Sequence, residues 1–114
     1  MHEYSLVTAL LERVDEEARA RRATAVKKVR LLVGELSGVE AELLGWAFEV
    51  AREDTLSSGA ELELVRVAAR WECPECGTAV PPGDSLHCPD CNAPATLAAG
   101  HELILERIEL EVPD

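Results

Sequence analysis

The sequence predicts an α+β protein in which a small three-stranded sheet is covered by two helices and carries an inserted four-cysteine lobe. Two stretches place apolar residues at helical spacing, and three stretches are rich in aliphatic and β-branched residues. The four cysteines all lie within residues 73–91 of the 114-residue chain. The expected order is therefore helix, strand, helix, strand, lobe and strand.

The first helix is expected to begin almost at residue 3, because apolar residues recur there at helical spacing while acidic residues fill the opposite side. The apolar positions are Leu6, Val7, Leu10, Leu11, Val14 and Ala18. The first strand is predicted from Ala25 to Leu36, where aliphatic residues with interleaved Lys and Arg suit a strand with one buried face.

The second helix is predicted to begin at Ser37, since Ser37-Gly38-Val39-Glu40 has the pattern of a capping box. Its apolar stripe is expected to consist of Leu43, Leu44, Ala47, Val50 and Ala51. The alternating segment Glu61–Val67 predicts the second strand, and Glu102 to Val112 predicts the third. Before the third strand, Asn92 to Gly100 is expected to form a return loop.

The lobe interrupts the chain between the second and third strands. We therefore expect it at the tip of a hairpin-like pair formed by those strands, with both helices on one face of the sheet. On this interpretation residues 1–70 and 96–114 form an α/β domain, and residues 71–95 form the lobe. The lobe contains too few apolar residues to fold by burial alone, so a bound metal is expected to hold it together.

The cysteines form two pairs, Cys73-Pro-Glu-Cys76 and Cys88-Pro-Asp-Cys91. Each pair places two thiolates on one tight turn, and two facing turns supply the four sulfur ligands of a tetrahedral site, which is typical of structural zinc. Gly77 and Asn92 follow the two pairs, and both residue types tolerate the left-handed backbone that turns amide N–H groups toward the sulfurs. The lobe is therefore expected to be a zinc-ribbon-like unit with four cysteine ligands. Its expected Zn(II) ligands are Cys73, Cys76, Cys88 and Cys91.

Other uses of the four cysteines remain open from the sequence. Iron in a rubredoxin-like site uses the same ligands, although the aromatic content of 4% is low for an electron carrier of that kind. Two disulfides would require an oxidising compartment. The chain does not start with a charged segment followed by an apolar one, so a cytoplasmic location with reduced thiols is expected.

The chain carries 22 acidic and 11 basic side chains, which gives a formal net charge of −11. This charge disfavours nucleic acid as a partner, because phosphate recognition requires clustered Lys and Arg. No apolar run reaches the length of about 18 residues that a membrane span needs, so no membrane association is expected. The acidic surface instead favours protein partners rich in Lys and Arg, and an open sheet edge can also mediate a homodimer.

The first three residues, Met1-His2-Glu3, hold the other concentration of potential metal ligands. The α-amine of Met1, the backbone nitrogen and Nδ1 of His2, and the Glu3 amide or carboxylate can close chelate rings around one ion. Square-planar ligation of this type favours Ni²⁺ or Cu²⁺, whereas Zn²⁺ is held better by thiolates. The sequence thus predicts two chemically different metal sites.

Several segments, taken together, resemble the HypA/HybF family and follow one another in the family's order along nearly the whole chain. They are Met1-His2-Glu3, Ser5-Leu6, the segment from Val33 to Val39, Ala47-Phe48-Glu49, Gly59-Ala60-x-Leu62, the two cysteine pairs, Gly100-x-Glu102-Leu103 and Ile108-Glu109. Tyr4 departs from the aliphatic residue common in the family, one residue beyond the proposed nickel ligands.

The resemblance implies a nickel metallochaperone that delivers Ni(II) for maturation of [NiFe]-hydrogenase. It implies nickel binding by Met1, His2 and Glu3 and a structural zinc bound by the four cysteines. The implied partners are a HypB-like GTPase and the [NiFe]-hydrogenase large subunit, and urease accessory proteins are a further expectation. The sequence does not assemble a nucleophile, a base and oxyanion donors, so the chain is expected to transfer metal and not to be an enzyme.

Two alternative functions remain open from the sequence. One is a zinc-ribbon protein-interaction adaptor that uses the four cysteines and binds no nickel, and the other is a rubredoxin-like iron electron carrier. The number of metal ions bound per chain distinguishes the adaptor from a nickel carrier. The red colour of bound iron distinguishes the electron carrier from a colourless zinc protein. His87, directly before Cys88, and His101 are expected to be ordinary surface residues, while ligation of the metal by His87 is a further hypothesis.

Overall fold

The computed structural model describes residues 2–83 and 85–113, and over these ranges the chain forms two α-helices and six β-strands. In chain order they are α1 Glu3–Ala20, β1 Ala25–Gly34, α2 Ala41–Ala51, β2 Glu61–Val67, β3 Arg70–Glu72, β4 Ala79–Val80, β5 Thr96–Ala99 and β6 Leu103–Glu111. The predicted α+β class, with two helices, a three-stranded sheet and a four-cysteine lobe, is confirmed.

The main sheet has the strand order β2-β1-β6, with β1 in the middle. β1 pairs with β2 in parallel and with β6 in antiparallel orientation. A parallel pair requires a crossover connection, and α2 supplies it. The prediction that the two strands flanking the lobe form a hairpin-like pair is wrong, because β1, which carries the buried side chains of this sheet, lies between them.

Both helices share one core with β1. Its buried members are Val7, Leu11, Val14, Ala18, Val26, Val29, Leu31, Val33, Leu44, Ala47, Phe48 and Ala60. The pairing of β1 with β6 shifts between Val26 and Lys28, and this bulge lets Val26 and Val29 join the same core although they are an odd number of residues apart.

The start of α2 differs from the prediction. The helix begins at Ala41, and its N-cap Glu40 makes no capping hydrogen bond with its side chain. Ser37 Oγ instead accepts a hydrogen bond from the Val39 N–H at 3.3 Å, within a turn where Gly38 has φ +80°. The capping-box prediction is therefore wrong, because the left-handed glycine directs the chain through a turn before the helix begins.

The apolar stripe of α2 is also rotated relative to the prediction. Phe48 is only 1% exposed and packs in the core with Leu44, whereas Leu43 and Val50 are 40% and 65% exposed. The helix carries two overlapping apolar rows, each with an aromatic ring, and packing in the main core buries the row that contains Leu44 and Phe48. Leu43 and Val50 consequently lie on the surface.

The lobe contains its own antiparallel sheet, in the order β4-β3-β5. In this sheet Thr96–Ala99 pairs with Arg70–Glu72, so the predicted return loop from Asn92 to Gly100 is wrong in its second half. The two alanines of β5 have little intrinsic preference for a strand, and their pairing depends on β3 beside them. The predicted boundaries of the lobe, after residues 70 and 95, stay a prediction. The pairing of β5 with β3 extends beyond residue 95 as far as Ala99.

The molecule is elongated. Its principal extents are 57 × 30 × 16 Å and its radius of gyration is 18.1 Å, whereas a compact domain of this length would have about 13 Å. The main sheet and the lobe accordingly have separate hydrophobic clusters. Within the described ranges, neither helix combines the length and the apolar character needed to cross a membrane.

The main sheet and the lobe meet where three backbone segments approach one another at Gly34, Ala69 and Gly100. A side chain on Gly34 would overlap the Gly100 carbonyl, and a Cβ on Gly100 would lie 2.5 Å from Ala69 Cα. Gly100 also has φ +105°, which disfavours any residue with a side chain. The Leu36 N–H donates to the Gly100 carbonyl at 2.6 Å, so glycine at these positions permits backbone hydrogen bonding across the junction.

Substitution at this junction should destabilise the protein. We expect Gly100→Ala to lower the free energy of unfolding by at least about 1–3 kcal/mol, because the new side chain meets Ala69 and the backbone conformation becomes strained. Gly45→Ala, in α2, is the matched control. Nothing lies within 4 Å of a Cβ at residue 45, so this control should gain about 0.5–1 kcal/mol. Urea unfolding measures both, and equal stabilities would contradict the prediction.

Glu102 adds a charged contact to the same junction. Its carboxylate accepts a hydrogen bond from the Gly100 N–H at 2.6 Å. The pKa of Glu102 is lowered by hydrogen bonds from its own N–H and from the Gly100 N–H, and these outweigh the partial burial that raises it. The charged form of Glu102 therefore stabilises the folded state.

The stability difference between the wild type and Glu102→Gln should depend on pH. Because the folded pKa lies below the ordinary value of 4.5, the contribution is fully present above that value and is lost as the pH falls through the folded pKa. We expect the wild type to be the more stable at neutral pH and the difference to shrink in acid. Urea unfolding of both proteins over a pH series tests this, and a difference that is independent of pH would contradict it.

Candidate metal centres

The four cysteine sulfurs form one cluster. The Sγ atoms of Cys73, Cys76, Cys88 and Cys91 all lie within 4.8 Å of one another, and those of Cys76 and Cys88 are 3.7 Å apart. In a tetrahedron with metal–sulfur bonds of about 2.3 Å, sulfurs are separated by about 3.8 Å. The cluster therefore fits a single tetrahedral metal ion with only small adjustments of the side chains.

Two similar turns hold the sulfurs in place. In the first, the Cys73 N–H donates to the Thr78 carbonyl at 2.9 Å; in the second, the Cys88 N–H donates to the Ala93 carbonyl at 2.9 Å. Each turn passes through the left-handed region directly after its second cysteine, at Gly77 with φ +75° and at Asn92 with φ +56°. The predicted left-handed backbone at these two residues is confirmed.

Amide groups turn toward the sulfurs, as expected for a thiolate site. The N–H groups of Asp90 and Cys91 both donate to Cys88 Sγ at 3.4 Å. Such donors partly neutralise a metal-bound thiolate and fix its direction. In the first turn, Cys76 Sγ lies 3.0 Å from Thr78 Oγ1.

The thiols influence one another's ionisation. Hydrogen bonding with the side chain and backbone of Thr78 lowers the pKa of Cys76 to about 6. Cys91 lies beside Cys76, and its hydrogen bond to that group together with partial burial raises the pKa of Cys91 to about 12. Four thiolates cannot coexist at this distance without a compensating charge, and a bound cation supplies it.

The lobe has little else to stabilise it. Its buried cluster contains Cys73, Val80 and Cys88, with partly buried Trp71 and two alanines packed against them. Two of these three buried residues are themselves members of the sulfur cluster. A metal bound by the four sulfurs would therefore couple its ligation to the folding of the lobe.

His87 does not belong to the cluster that the described residues form. Its ring is exposed, and Nδ1 lies 2.9 Å from Ser85 Oγ and 2.6 Å from the Ser85 carbonyl oxygen. The four cysteines supply a full tetrahedral set without it. His101 is likewise exposed and lies in the short segment before β6.

The N-terminal residues lie at the start of α1. Met1 falls outside the described residues, and His2 is the exposed N-cap of the helix. The His2 carbonyl accepts the first helical hydrogen bond, from the Leu6 N–H at 3.0 Å, and its ring makes no capping hydrogen bond. The imidazole of His2 is thus directed to solvent and accessible to an ion.

Glu3 behaves differently from its neighbour. Its side chain is buried, at 3% exposure, and the carboxylate accepts a hydrogen bond from the Glu40 N–H at 3.2 Å. Burial raises the pKa of Glu3, but hydrogen bonds from Glu40 and from its own N–H, with the charge of His2, outweigh it and lower the pKa overall. Residue spacing in the sequence does not predict this hydrogen bond between α1 and the N-cap of α2.

Comparison with known proteins identifies the family. A family model described as hydrogenase/urease nickel incorporation, metallochaperone, hypA matches residues 1–110. The chain belongs to the HypA family. The family resemblance predicted from the sequence is therefore confirmed.

Relatives within the HypA family align along their whole length. The hydrogenase maturation factor HypA of Wolinella succinogenes is 41% identical, with 100% of this chain and 98% of the relative covered. The factor of the same name from Dehalococcoides mccartyi strain CBDB1 is 35% identical, with 97% and 95% covered.

Solved HypA structures have the same fold. The solution structure of the nickel metallochaperone HypA from Helicobacter pylori has a TM-score of 0.73 and 29% sequence identity, and the match covers 99% of this chain and 100% of that one. A second solution structure of a HypA protein has a TM-score of 0.79 and 31% identity, with 96% of both chains covered. Fold and sequence therefore support the same family assignment.

Removing the metal should unfold the lobe and spare the rest of the protein. Because the lobe's buried cluster consists largely of cysteines, we expect chelation to collapse the dispersed amide NMR signals of β3, β4 and β5. Signals from α1, α2 and the main sheet should remain, since their core is separate. Metal release is measured in the same sample, and unchanged lobe signals after complete release would contradict the prediction.

Proposed function

We propose that this chain binds Ni(II) at its N-terminus through Met1, His2 and Glu3 and delivers it for maturation of [NiFe]-hydrogenase. The observation that carries the proposal is the match to the nickel-incorporation family from residue 1 onward. The exposed His2 ring at the start of α1 supports it, because an exposed ring that makes no capping hydrogen bond is accessible to an ion.

The contacts of Glu3 favour its amide nitrogen over its carboxylate as the nickel ligand. The carboxylate is buried and accepts the Glu40 N–H, so using it as a ligand would break that link. The amide of Glu3 belongs to the first turn of α1, whose N–H groups have no backbone acceptor within the helix, so its use as a ligand would break only the contact with its own carboxylate. The α-amine, two nitrogens of His2 and the Glu3 amide then supply four nitrogen ligands, a donor type that suits Ni²⁺.

Delivery requires a site that releases its ion. Protonation of the His2 ring, the α-amine or an amide nitrogen removes a ligand without disturbing the core, because these groups lie at the end of the chain. The terminal site is therefore suited to transfer. On this proposal the protein acts as a carrier and not as an enzyme.

The metal in the cysteine lobe is proposed to be Zn(II). Four thiolates leave no open coordination position, so the ion has a structural role and is not the cargo. Metal released from the lobe should then be zinc, in one equivalent per chain, and the purified protein should be colourless. A red protein with iron would instead favour the rubredoxin-like carrier, and failure to bind nickel would favour the zinc-ribbon adaptor.

The proposed partners are a HypB-like GTPase and the [NiFe]-hydrogenase large subunit. The family description also includes urease, so urease accessory proteins are further proposed partners. A cytoplasmic location fits the reduced thiols that the sulfur cluster requires.

Nickel titration tests the terminal site. The wild type with an unmodified N-terminus should bind one equivalent of Ni²⁺. His2→Ala should bind with strongly reduced affinity, because it loses the imidazole ligand and the chelate ring that this ligand closes with the His2 backbone nitrogen. Isothermal titration calorimetry measures both. Adding one residue before Met1 should have the same effect, since it displaces the α-amine.

His101→Ala is the matched control, because it removes another exposed histidine. It should retain the wild-type affinity for nickel. Wild-type affinity in His2→Ala would contradict the terminal site, and reduced affinity in His101→Ala would show that the site extends beyond the N-terminus.

A further inference from the structure

The outer side of α2 carries a row of large apolar side chains. Leu43, Trp46 and Val50 follow one another at helical spacing and are 40%, 72% and 65% exposed. We call this row the α2 face. Trp46 contributes nothing to the core that Leu44 and Phe48 form on the opposite side, and contiguous exposed apolar surface of this kind marks sites of association.

One flank of the α2 face is acidic. Exposed Glu42, Glu49 and Glu53 lie on the same side of the row at helical spacing. The one basic residue of this segment, Arg52, already donates to the Ala60 carbonyl and to the Glu49 carboxylate, each at 2.7 Å. A second copy of the chain would place glutamate against glutamate here, whereas a partner with Lys and Arg would be attracted.

The α2 face starts beside the proposed nickel site. Glu3 accepts a hydrogen bond from the N–H of Glu40, which is the N-cap of α2, and Leu43 lies in the first turn of that helix. A protein that covers Leu43 and Trp46 therefore comes to lie next to His2 and Glu3. Binding on this face and access to the terminal ligands are spatially linked.

We propose that the α2 face is the docking surface for a partner protein with an apolar cleft bordered by Lys and Arg. Resting on the proposed function, this partner is the HypB-like GTPase. Trp46 inserts into the cleft as the central aromatic anchor, and the acidic flank pairs with the basic border. The docked GTPase faces the N-terminus at which nickel is bound.

Calorimetric titration of the untagged, zinc-loaded chain with the purified GTPase tests this surface. The double variant Trp46→Ala/Val50→Ala should weaken binding by at least about tenfold, because it removes the aromatic anchor and its neighbour. The matched control Ile104→Ala/Val112→Ala removes side chains that are 46% and 50% exposed elsewhere on the surface, and it should bind as the wild type does. Nickel affinity should be unchanged in both variants.

A second pair of variants tests the charges. Glu42→Lys/Glu53→Lys should weaken binding and reduce its dependence on salt, whereas Glu16→Lys/Glu111→Lys, with the same change in net charge, should have a smaller effect. In a Trp71→Phe background, the emission of Trp46 should shift to shorter wavelength when the GTPase is added, as its ring leaves water. Circular dichroism checks that each variant folds.

The outcomes separate this proposal from the function on which it rests. If the wild type binds the GTPase and the α2-face variants bind equally well, the docking surface is overturned and the proposed function stands. If the wild type does not bind the GTPase, both the surface and this partner are overturned, while nickel titration still decides the terminal site. If the wild type sediments as a dimer and Trp46→Ala/Val50→Ala as a monomer, self-association replaces the proposal.

Discussion

At the end of β1 and before β6 begins, backbone segments approach so closely that only glycine fits at residues 34 and 100. The rest of the architecture depends on this contact. It fixes where the chain leaves the main sheet for the lobe and where it returns, through hydrogen bonds such as that from the Leu36 N–H to the Gly100 carbonyl. The turn that follows Leu36 leads to Glu40, and Glu40 is held by the carboxylate of Glu3. The junction is therefore connected through one short segment to the start of α1.

The two candidate metal sites use opposite chemistry in keeping with their surroundings. The sulfur cluster is held by two turns, the second of which supplies amide donors, and its cysteines make up most of the buried cluster of the lobe. His2, by contrast, lies at a helix terminus and is exposed, so an ion bound there can leave without disturbing a core. A closed tetrahedral thiolate site suits retention, and an open nitrogen site suits exchange.

The second helix, α2, packs in the main core, contacts Glu3 at the start of α1 and carries an exposed apolar row. Its inner row, with Leu44 and Phe48, completes the main core, while its outer row remains exposed around Trp46. The N–H of its N-cap, Glu40, donates a hydrogen bond to the one buried carboxylate of α1, that of Glu3. The same helix thus holds Glu3 at the start of α1 and carries an exposed apolar row on its other side.

The sequence by itself determined the order of helices and long strands, the bounds of β2 and the grouping of the four cysteines, because hydrophobic periodicity and Cys-x-x-Cys spacing are local properties. The tertiary structure decided the central place of β1, the β5 strand, the start of α2 and the burial of Glu3. Each of these depends on contacts between residues far apart in the chain. The sequence of α2 contains two apolar rows, and only packing against α1 and the sheet selects Phe48 for the core and leaves Trp46 outside. The free energy of burying a given side chain depends on what lies opposite it, and spacing along one helix does not specify that.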